Sequence, residues 1–295
     1  MFTGSIVALV TPMVPDGDVD WAALERLIGW HLDNGTDGIV PVGTTGESAT
    51  LSVAEHSAVI ERTVKVVAGQ VPVIGGTGGN ATWEAIELTQ AAEAVGVDAS
   101  LIVTPYYNRP TQAGLVAHYR AIAAATSGPL VLYNVPPRTA CDMAAETVAE
   151  LASVDSIVGI KEACGDAERV ADIRRLVADD FFVLSGEDAQ TLRMLELGAV
   201  GTISVTANVL PRQMHDFCAA WLAGDQQRAA VMDADLQRMH AALFLESSPT
   251  PTKWALCEMG LITTGIRLPL LPLSAAPQAL LRGELEHFGC LGVAA

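Results

Sequence analysis

One lysine of this 295-residue chain is placed for covalent chemistry on a carbonyl group. The chain has three lysines, Lys65, Lys161 and Lys253. Lys161 directly follows the apolar run 157–160, which predicts a buried strand, and burial favours the neutral amine that forms Schiff bases with ketones and aldehydes. Lys65 is expected on a solvated helix face, and Lys253, at a helix start, is expected to be structural. A buried ion pair with Glu162 or with another carboxylate is the alternative for Lys161. Neighbouring strand residues face opposite sides, which weakens the version with Glu162.

Hydroxyl and guanidinium groups that could assist such a reaction lie in a few short segments. Three of the four tyrosines, Tyr106, Tyr107 and Tyr133, end or follow apolar runs. A tyrosine beside a reactive lysine can relay protons while a Schiff base forms, and Thr44 could extend that relay. Arg138 could hold a substrate carboxylate through two parallel hydrogen bonds. Interior aromatic packing and a surface ion pair are the structural alternatives for the tyrosines and for Arg138.

Two glycine-rich stretches indicate ligand binding. The stretch 43–48, with the sequence GTTGES, suits a tight turn whose backbone N–H groups hold a small carboxylate. The stretch 76–81, GTGGNA, fits the dinucleotide-binding pattern, so a nicotinamide-dependent enzyme is a rival hypothesis. The acidic residue expected at the end of the next strand is missing, which weakens that rival.

Other catalytic motifs do not occur in the sequence. None of the three lysines is followed by Ser or Thr, which excludes a Walker A loop, and no G-x-S-x-G elbow is present. The six histidines are dispersed and form no metal-binding motif. The sequence therefore predicts neither a metal site nor a cofactor.

Charge and cysteine content restrict the partners and the compartment. The formal net charge of -17 would be repelled by nucleic acid and by anionic membranes. No apolar stretch reaches the length of a membrane span, and the apolar N-terminal segment lacks the basic region of an export signal. Five widely spaced cysteines without a C-x-x-C pair indicate reduced thiols, and we expect a cytoplasmic protein.

Eight apolar runs alternate with helical patterns along the chain. The runs begin at residues 5, 38, 71, 99, 129, 156, 181 and 201. Continuous apolar runs are typical of strands buried on both faces of a parallel sheet, and the intervening stretches, such as 21–32 and 81–95, repeat apolar residues at helical spacing. Eight such units predict an α/β fold of the (β/α)8 TIM-barrel class.

The chain becomes purely helical after the eighth unit. Helical patterns cover 211–223, 226–245, 252–260 and 276–288. We expect residues 1–223 to form the catalytic barrel and residues 224–295 to form a C-terminal helical extension packed on it, because no linker separates the two.

Active sites of barrels of this class lie at the carboxyl ends of the strands. Polar residues follow most of the predicted strands, in the segments 43–48, 76–80, 104–109, 133–139, 161–162 and 185–188. The fold would therefore bring these segments to one face.

These segments resemble those of the pyruvate-dependent class I aldolases and lyases, over essentially the whole chain. The turn 43–48 is similar to the pyruvate-carboxylate loop of that family. The sequence YNVPPRT at 133–139, followed by Lys161 28 residues after its tyrosine, is similar to the second family signature. The pair Arg138 and Thr139 resembles the dihydrodipicolinate synthase branch more than the branch that acts on sialic acid or sugar acids.

The resemblance implies a reaction and its substrates. Lys161 would form a Schiff base with pyruvate, whose carboxylate Thr45 would hold. The resulting enamine would attack L-aspartate 4-semialdehyde, positioned by Arg138. Gly186 and Ile203 match positions whose backbone carbonyls face the site.

The resemblance also implies an assembly. Tyr133, Thr44 and Tyr107 match a proton relay in which Tyr107 comes from a neighbouring subunit. This requires at least a dimer, and the family suggests a homotetramer made of two tight dimers.

A feedback site for L-lysine is implied as well. Its counterparts are Ser48, Ala49, His56, Asn80, Glu84 and Tyr106. Glu84 could neutralise an amino group of the inhibitor, while Val53 departs from the pattern because inhibited members often carry histidine at that position.

Three alternatives remain open from the sequence. The same lysine could serve another 2-oxo-acid aldolase that uses a different aldehyde acceptor. A non-catalytic relative could bind lysine or pyruvate as a sensor, and the nicotinamide-dependent dehydrogenase stays as the third hypothesis.

Overall fold

Eight parallel strands form the inner wall of the protein and confirm the predicted (β/α)8 barrel. The computed structural model describes residues 2–292. The strands are β1 (Gly4–Ala8), β2 (Gly38–Val40), β3 (Ile74–Gly76), β4 (Ala99–Val103), β5 (Leu130–Asn134), β6 (Ile157–Glu162), β7 (Phe182–Ser185) and β8 (Gly201–Ser204). Each lies within one of the eight predicted apolar runs or begins a residue before it.

The strands follow one another around the barrel, in the order β2-β1-β8-β7-β6-β5-β4-β3. The two end strands of this order are joined by main-chain hydrogen bonds. Ile39 N donates to Pro72 O at 3.0 Å, and Gly76 N donates to Pro41 O at 3.1 Å. The sheet is thereby closed on itself.

Helices follow the strands and surround the barrel. They are α1 (Trp21–Asp33), α2 (Val53–Val67), α3 (Thr82–Ala94), α4 (Gln112–Ala125), the short α5 (Pro136–Thr139), α6 (Ala145–Leu151), α7 (Glu168–Arg174), α8 (Thr191–Glu196) and α9 (Pro211–Leu222). Three single 3₁₀ turns lie at Ser48–Thr50, Asp188–Gln190 and Thr206–Asn208.

Local signals explain where the first two of these helices begin. The Asp20 side chain accepts a hydrogen bond from Ala23 N and caps α1, and Ser52 and Glu55 form a reciprocal capping box at α2. The predicted stripe of α1, with Leu24, Leu27, Ile28 and His31, is buried against the barrel. Capping and apolar periodicity together account for these elements.

The apolar core has two layers. The outer layer lies between the strands and the helices, and the inner layer fills the barrel. Gly159 on β6 leaves room inside the barrel for the ring of Phe182, since a Cβ at Gly159 would lie 2.4 Å from that ring. This packing closes the barrel interior below the carboxyl ends of the strands.

Three further helices follow α9 and lie where the helical patterns predicted them. They are α10 (Gln226–Ala242), α11 (Thr250–Glu258) and α12 (Ala275–His287). Leu281 and Leu285 of α12 are buried in the outer layer. Within residues 2–292, no helix is both long and apolar enough to cross a membrane.

Candidate active site

Lys161 points into the barrel beside Tyr133. The parallel pairing of β5 and β6 places the two residues opposite each other, so their side chains lie on the same face. Lys161 is only 6% exposed, and its Nζ lies 4.4 Å from the centre of the Tyr133 ring. Within residues 2–292, no carboxylate forms an ion pair with this amine. The structure therefore contradicts the ion-pair alternative and leaves the amine available.

Glu162 lies on the other face of β6, away from the barrel interior. Its carboxylate accepts hydrogen bonds from Asn134 Nδ2 at 3.1 Å and from Cys164 N at 2.8 Å. Asn134 also donates to Asp142, which is held by Arg169. Glu162 is fully buried, and burial raises its pKa to about 7. The carboxylate next to the lysine in sequence thus belongs to a separate polar network.

The raised pKa of Glu162 predicts a pH-dependent contribution to stability. Because the folded-state value of about 7 exceeds the ordinary 4.5, folding favours the protonated form, and this stabilisation is lost as the pH rises through 7. Urea unfolding measures the free energy of unfolding at pH 5.5 and at pH 8.5. We expect the difference in this free energy between Glu162→Gln and the wild type to shift by about 2 kcal/mol in favour of the variant from the lower to the higher pH. The exposed Glu87→Gln serves as the control, and an equal effect of Glu162→Gln at both pH values would contradict the assignment.

Gly186 lies against Lys161 inside the barrel. Gly186 N donates to Glu162 O at 2.7 Å, and a Cβ at Gly186 would lie 2.8 Å from Lys161 Cε. Glycine at this position therefore leaves room for the lysine side chain. Ile203 is a buried member of the inner layer on β8.

The turn that follows β2 has a constrained backbone. Val42 and Glu47, at its two ends, have positive φ values of 47° and 58°, which non-glycine residues rarely adopt. Thr11 Oγ1 donates to Gly46 O at 2.7 Å. Within the turn, Thr44 is exposed and Thr45 is buried, so the two neighbouring threonines face different surroundings.

A cavity of about 500 Å³ opens at the carboxyl ends of the strands. Thr44, Tyr133 and Arg138 line one part of it. Lys161 Nζ lies 4.4 Å from the centre of the ring of Tyr133, which lines the cavity. The structure thus brings the predicted lysine, tyrosine, threonine and arginine to one end of the barrel.

Arg138 lies on the short helix α5, directly after β5. Its guanidinium donates from Nη2 to Ser248 O at 3.5 Å, in the segment between α10 and α11. Within residues 2–292, Arg138 forms no ion pair with a carboxylate. The surface ion-pair alternative for Arg138 is therefore wrong, and its charge stays available to an anion in the cavity.

Tyr107 is the one predicted relay residue that the single chain does not bring to the cavity. It is 91% exposed and has a φ of 72°. Its neighbour Tyr106 points the other way and lines the cavity. The single chain therefore leaves the Tyr107 side chain exposed and outside the lining of its own cavity.

The residues matched to a feedback site lie along the same cavity. Ser48, Ala49, His56, Glu84 and Tyr106 line it, and Val53 does so too. Asn80 lies next to them and donates from Nδ2 to Tyr106 O at 3.3 Å. The two ring nitrogens of His56 are buried without a hydrogen-bond partner in residues 2–292, and burial lowers its pKa to about 4.

Residues of the C-terminal helical region complete the cavity, which the sequence did not predict. They are Ser247, Ser248, Pro249, Pro269 and Leu270. None stands at the end of a barrel strand, and the only local signal is the proline-rich composition between predicted helices. Their position depends on how α10, α11 and α12 pack on the barrel.

Comparison with known proteins agrees with this geometry. Residues 1–287 match the model of the Dihydrodipicolinate synthetase family. A 4-hydroxy-tetrahydrodipicolinate synthase of Ectopseudomonas mendocina is 55% identical, over 99% of this chain and 100% of the relative.

Two solved structures extend the comparison. A chloride-inhibited dihydrodipicolinate synthase of Acinetobacter baumannii, complexed with pyruvate, has a TM-score of 0.97 and 50% identity over 99% of this chain and 100% of that one. A dihydrodipicolinate synthase of Cyanidioschyzon merolae with lysine bound has a TM-score of 0.95 and 39% identity, over 98% and 99% of the two chains. This chain belongs to the Dihydrodipicolinate synthetase family.

Proposed function

We propose that this chain condenses pyruvate with L-aspartate 4-semialdehyde through a Schiff base on Lys161, and so is a lyase that forms 4-hydroxy-tetrahydrodipicolinate for lysine and diaminopimelate biosynthesis. The observation that carries the proposal is the buried amine of Lys161, which forms no ion pair within residues 2–292 and lies 4.4 Å from the centre of the Tyr133 ring at the cavity. Family membership over nearly the whole chain supports the same reaction.

The first chemical step joins Lys161 to pyruvate. The Nζ lone pair attacks the ketone carbon of pyruvate, and the resulting carbinolamine loses its hydroxyl group as water to give the imine. The hydroxyl groups of Tyr133 and Thr44 carry the protons that this step moves. Tyr133 both lines the cavity and lies beside Lys161, which supports this role.

The second step forms the carbon–carbon bond. Loss of a proton from the methyl carbon turns the imine into an enamine, whose carbon attacks the aldehyde of the semialdehyde. The aldehyde oxygen takes up a proton and remains as the product hydroxyl. The amino group of the semialdehyde then attacks the imine carbon, closes the ring and displaces Lys161 Nζ as the free amine.

Two anionic substrates require two separate carboxylate sites. We assign the pyruvate carboxylate to the turn 43–46, through the hydroxyl and N–H of Thr45, and the semialdehyde carboxylate to Arg138. The backbone carbonyls of Gly186 and Ile203 face the reacting groups in this assignment. The net charge of -17 does not favour anions, so local donors must provide the attraction.

We further propose that Tyr107 completes the proton relay of a second copy of the chain. Its 91% exposure and its distance from its own cavity support this arrangement. The active unit is then at least a dimer, and a tetramer of two tight dimers is the assembly that we propose. We place the protein in the cytoplasm, where its five free cysteines stay reduced, and we retain the division into a barrel (1–223) and an extension (224–295).

Chemical trapping and acceptor choice test the proposed reaction together. Borohydride with pyruvate is expected to reduce the imine and leave a stable adduct on the peptide that contains Lys161, whereas an adduct on Lys65 or Lys253, or none, would contradict the mechanism.

Turnover with L-aspartate 4-semialdehyde should exceed turnover with sugar-acid aldehydes; the reverse order would favour another 2-oxo-acid aldolase. A nicotinamide titration tests the dehydrogenase hypothesis.

We also propose that L-lysine inhibits the enzyme from the part of the cavity lined by Ser48, Ala49, His56, Glu84 and Tyr106, with Asn80 beside them. The Glu84 carboxylate, which lines this part of the cavity, is suited to an ammonium group. The lysine-bound relative supports this proposal.

Inhibition by L-lysine gives a direct prediction. Millimolar L-lysine is expected to lower the condensation rate, and Glu84→Gln should weaken the inhibition about tenfold or more, since a charge-assisted hydrogen bond is lost. The exposed Glu87→Gln, one turn further along α3, is the matched control. An unchanged rate at millimolar L-lysine would rule out the inhibition.

A further inference from the structure

A buried ion pair connects the turn after β2 with the C-terminal helices. The ammonium group of Lys253, on α11, pairs with Glu47 across 206 positions of sequence. Glu47 is 3% exposed and Lys253 is 4% exposed. Among the ion pairs within residues 2–292, this is the one in which both side chains are almost completely buried. Burying two charges is costly, so such a pair calls for an explanation beyond stability.

Glu47 forms the last corner of the turn that carries Thr44 and Thr45. Its N–H donates to Thr44 O at 3.1 Å, and its φ of 58° belongs to a sparsely populated region. Its carboxylate also accepts a hydrogen bond from Arg267 N at 3.2 Å. Two residues of the C-terminal region therefore support the conformation of the turn, in addition to Thr11.

The charge of Glu47 also matters for ligands of the turn. Its carboxylate lies two residues after Thr45, whose hydroxyl and N–H we assign to the carboxylate of pyruvate. A buried negative charge so close to an anion site would repel the anion through a medium of low dielectric constant. Lys253 supplies the compensating positive charge within contact distance.

We propose that Lys253 is a positioning residue for pyruvate binding: by pairing with Glu47 it holds the turn 43–46 in its binding conformation and cancels the negative charge beside it. The inference rests on the proposed function and assigns a role to a lysine that does not touch the substrate. Helix α11 is then linked to the site in two ways. It carries Lys253, and the segment just before it, with Ser248 and Pro249, lines the same cavity.

Neutral, nearly isosteric variants test the pair. Lys253→Met leaves the Glu47 charge unpaired, and we expect the KM for pyruvate to rise about tenfold or more while kcat changes by less than about threefold, the pattern of lost substrate binding. Glu47→Gln keeps a hydrogen-bonding side chain that can hold the turn, removes the negative charge and leaves the Lys253 cation beside the anion site, so its KM for pyruvate should fall below the wild-type value. The double variant should lie within about threefold of the wild-type KM.

A surface pair of the same region provides the control. Arg282 of α12 pairs with Glu258 in a partly exposed position, and Arg282→Met should leave the KM for pyruvate unchanged. Thermal unfolding and circular dichroism show whether each variant is folded. If Lys253→Met does not fold, Glu47→Gln decides: a KM for pyruvate below the wild-type value supports the proposal, and an unchanged or raised KM overturns it.

The outcomes separate this inference from the reaction itself. An unchanged KM in folded Lys253→Met, with pyruvate still trapped on Lys161, would overturn the positioning role and leave the proposed function intact. An equal tenfold rise in the KM for pyruvate in Lys253→Met, Glu47→Gln and the double variant would indicate a purely structural pair. That result would also overturn the positioning role. Failure of the wild type to trap pyruvate would instead contradict the proposed function.

Discussion

Replacement of Lys161 by methionine is expected to abolish condensation, with a loss in kcat of at least about 1,000-fold. Methionine has a similar length and no amine, so the covalent route through the imine is closed while the barrel interior stays filled. The coupled assay with both substrates measures the loss. Borohydride with pyruvate should leave no adduct on this variant.

Lys65→Met is the matched control for this variant, because Lys65 is an exposed lysine on α2. Its rate and its trapped adduct should equal those of the wild type. Substantial turnover by folded Lys161→Met would show that another group forms the intermediate or that none is formed.

The Lys161→Met chain also tests whether Tyr107 acts in a second copy. A mixture with Tyr107→Phe chains, each weakly active alone, should regain activity, because a mixed dimer has one site with both residues intact. The regained activity should require co-refolding or subunit exchange. If the mixture shows only the sum of the two separate activities, Tyr107 does not complete the site of another chain.

Replacement of Tyr133 by phenylalanine is expected to have the second-largest effect, a loss of about 100-fold to 10,000-fold in kcat. The ring would still pack beside Lys161, so folding should be preserved, while the hydroxyl that moves protons during imine formation is removed. The rate at which pyruvate forms the trappable imine should fall by a similar factor. The final amount of trapped adduct should stay the same. Rapid-quench borohydride reduction measures that rate.

Tyr119→Phe is the matched control, because its hydroxyl is also buried but donates to Ile102 O at 3.0 Å, away from the cavity lining. Loss of that hydrogen bond should cost about 1 kcal/mol of stability and leave kcat unchanged. An effect of Tyr133→Phe no larger than that of Tyr119→Phe would assign Tyr133 to packing alone.

Both proposed carboxylate sites depend on contacts with the C-terminal region. The turn 43–46 is fixed by Thr11 inside the barrel and, through Glu47, by Lys253 on α11. Arg138 is positioned by Ser248 O just before the same helix. The C-terminal region therefore lines the cavity and contacts both proposed carboxylate sites, although no covalent chemistry is assigned to it.

Several features of the protein could be predicted from sequence because they depend on local patterns. Apolar runs and helical spacing identified all eight strands and the later helices. Burial of both faces of a strand requires a continuous apolar run, and burial of one face of a helix requires apolar residues at helical spacing. The position of Lys161 at the end of one run, near Tyr133 at the end of the run before it, followed from the same pattern. The matching motifs then indicated the family.

Only the tertiary structure decided which groups face each other. It placed Glu162 in a network outside the barrel, left Tyr107 exposed, and paired Lys253 with Glu47. The sequence predicted a structural role for Lys253 but did not identify its partner. A local sequence pattern can indicate that a side chain is buried, but it does not show which residue that side chain contacts. Partners separated by about 200 positions come into contact only when α11 packs at the mouth of the barrel. That packing depends on many weak contacts between distant parts of the chain, which no short segment of sequence reveals.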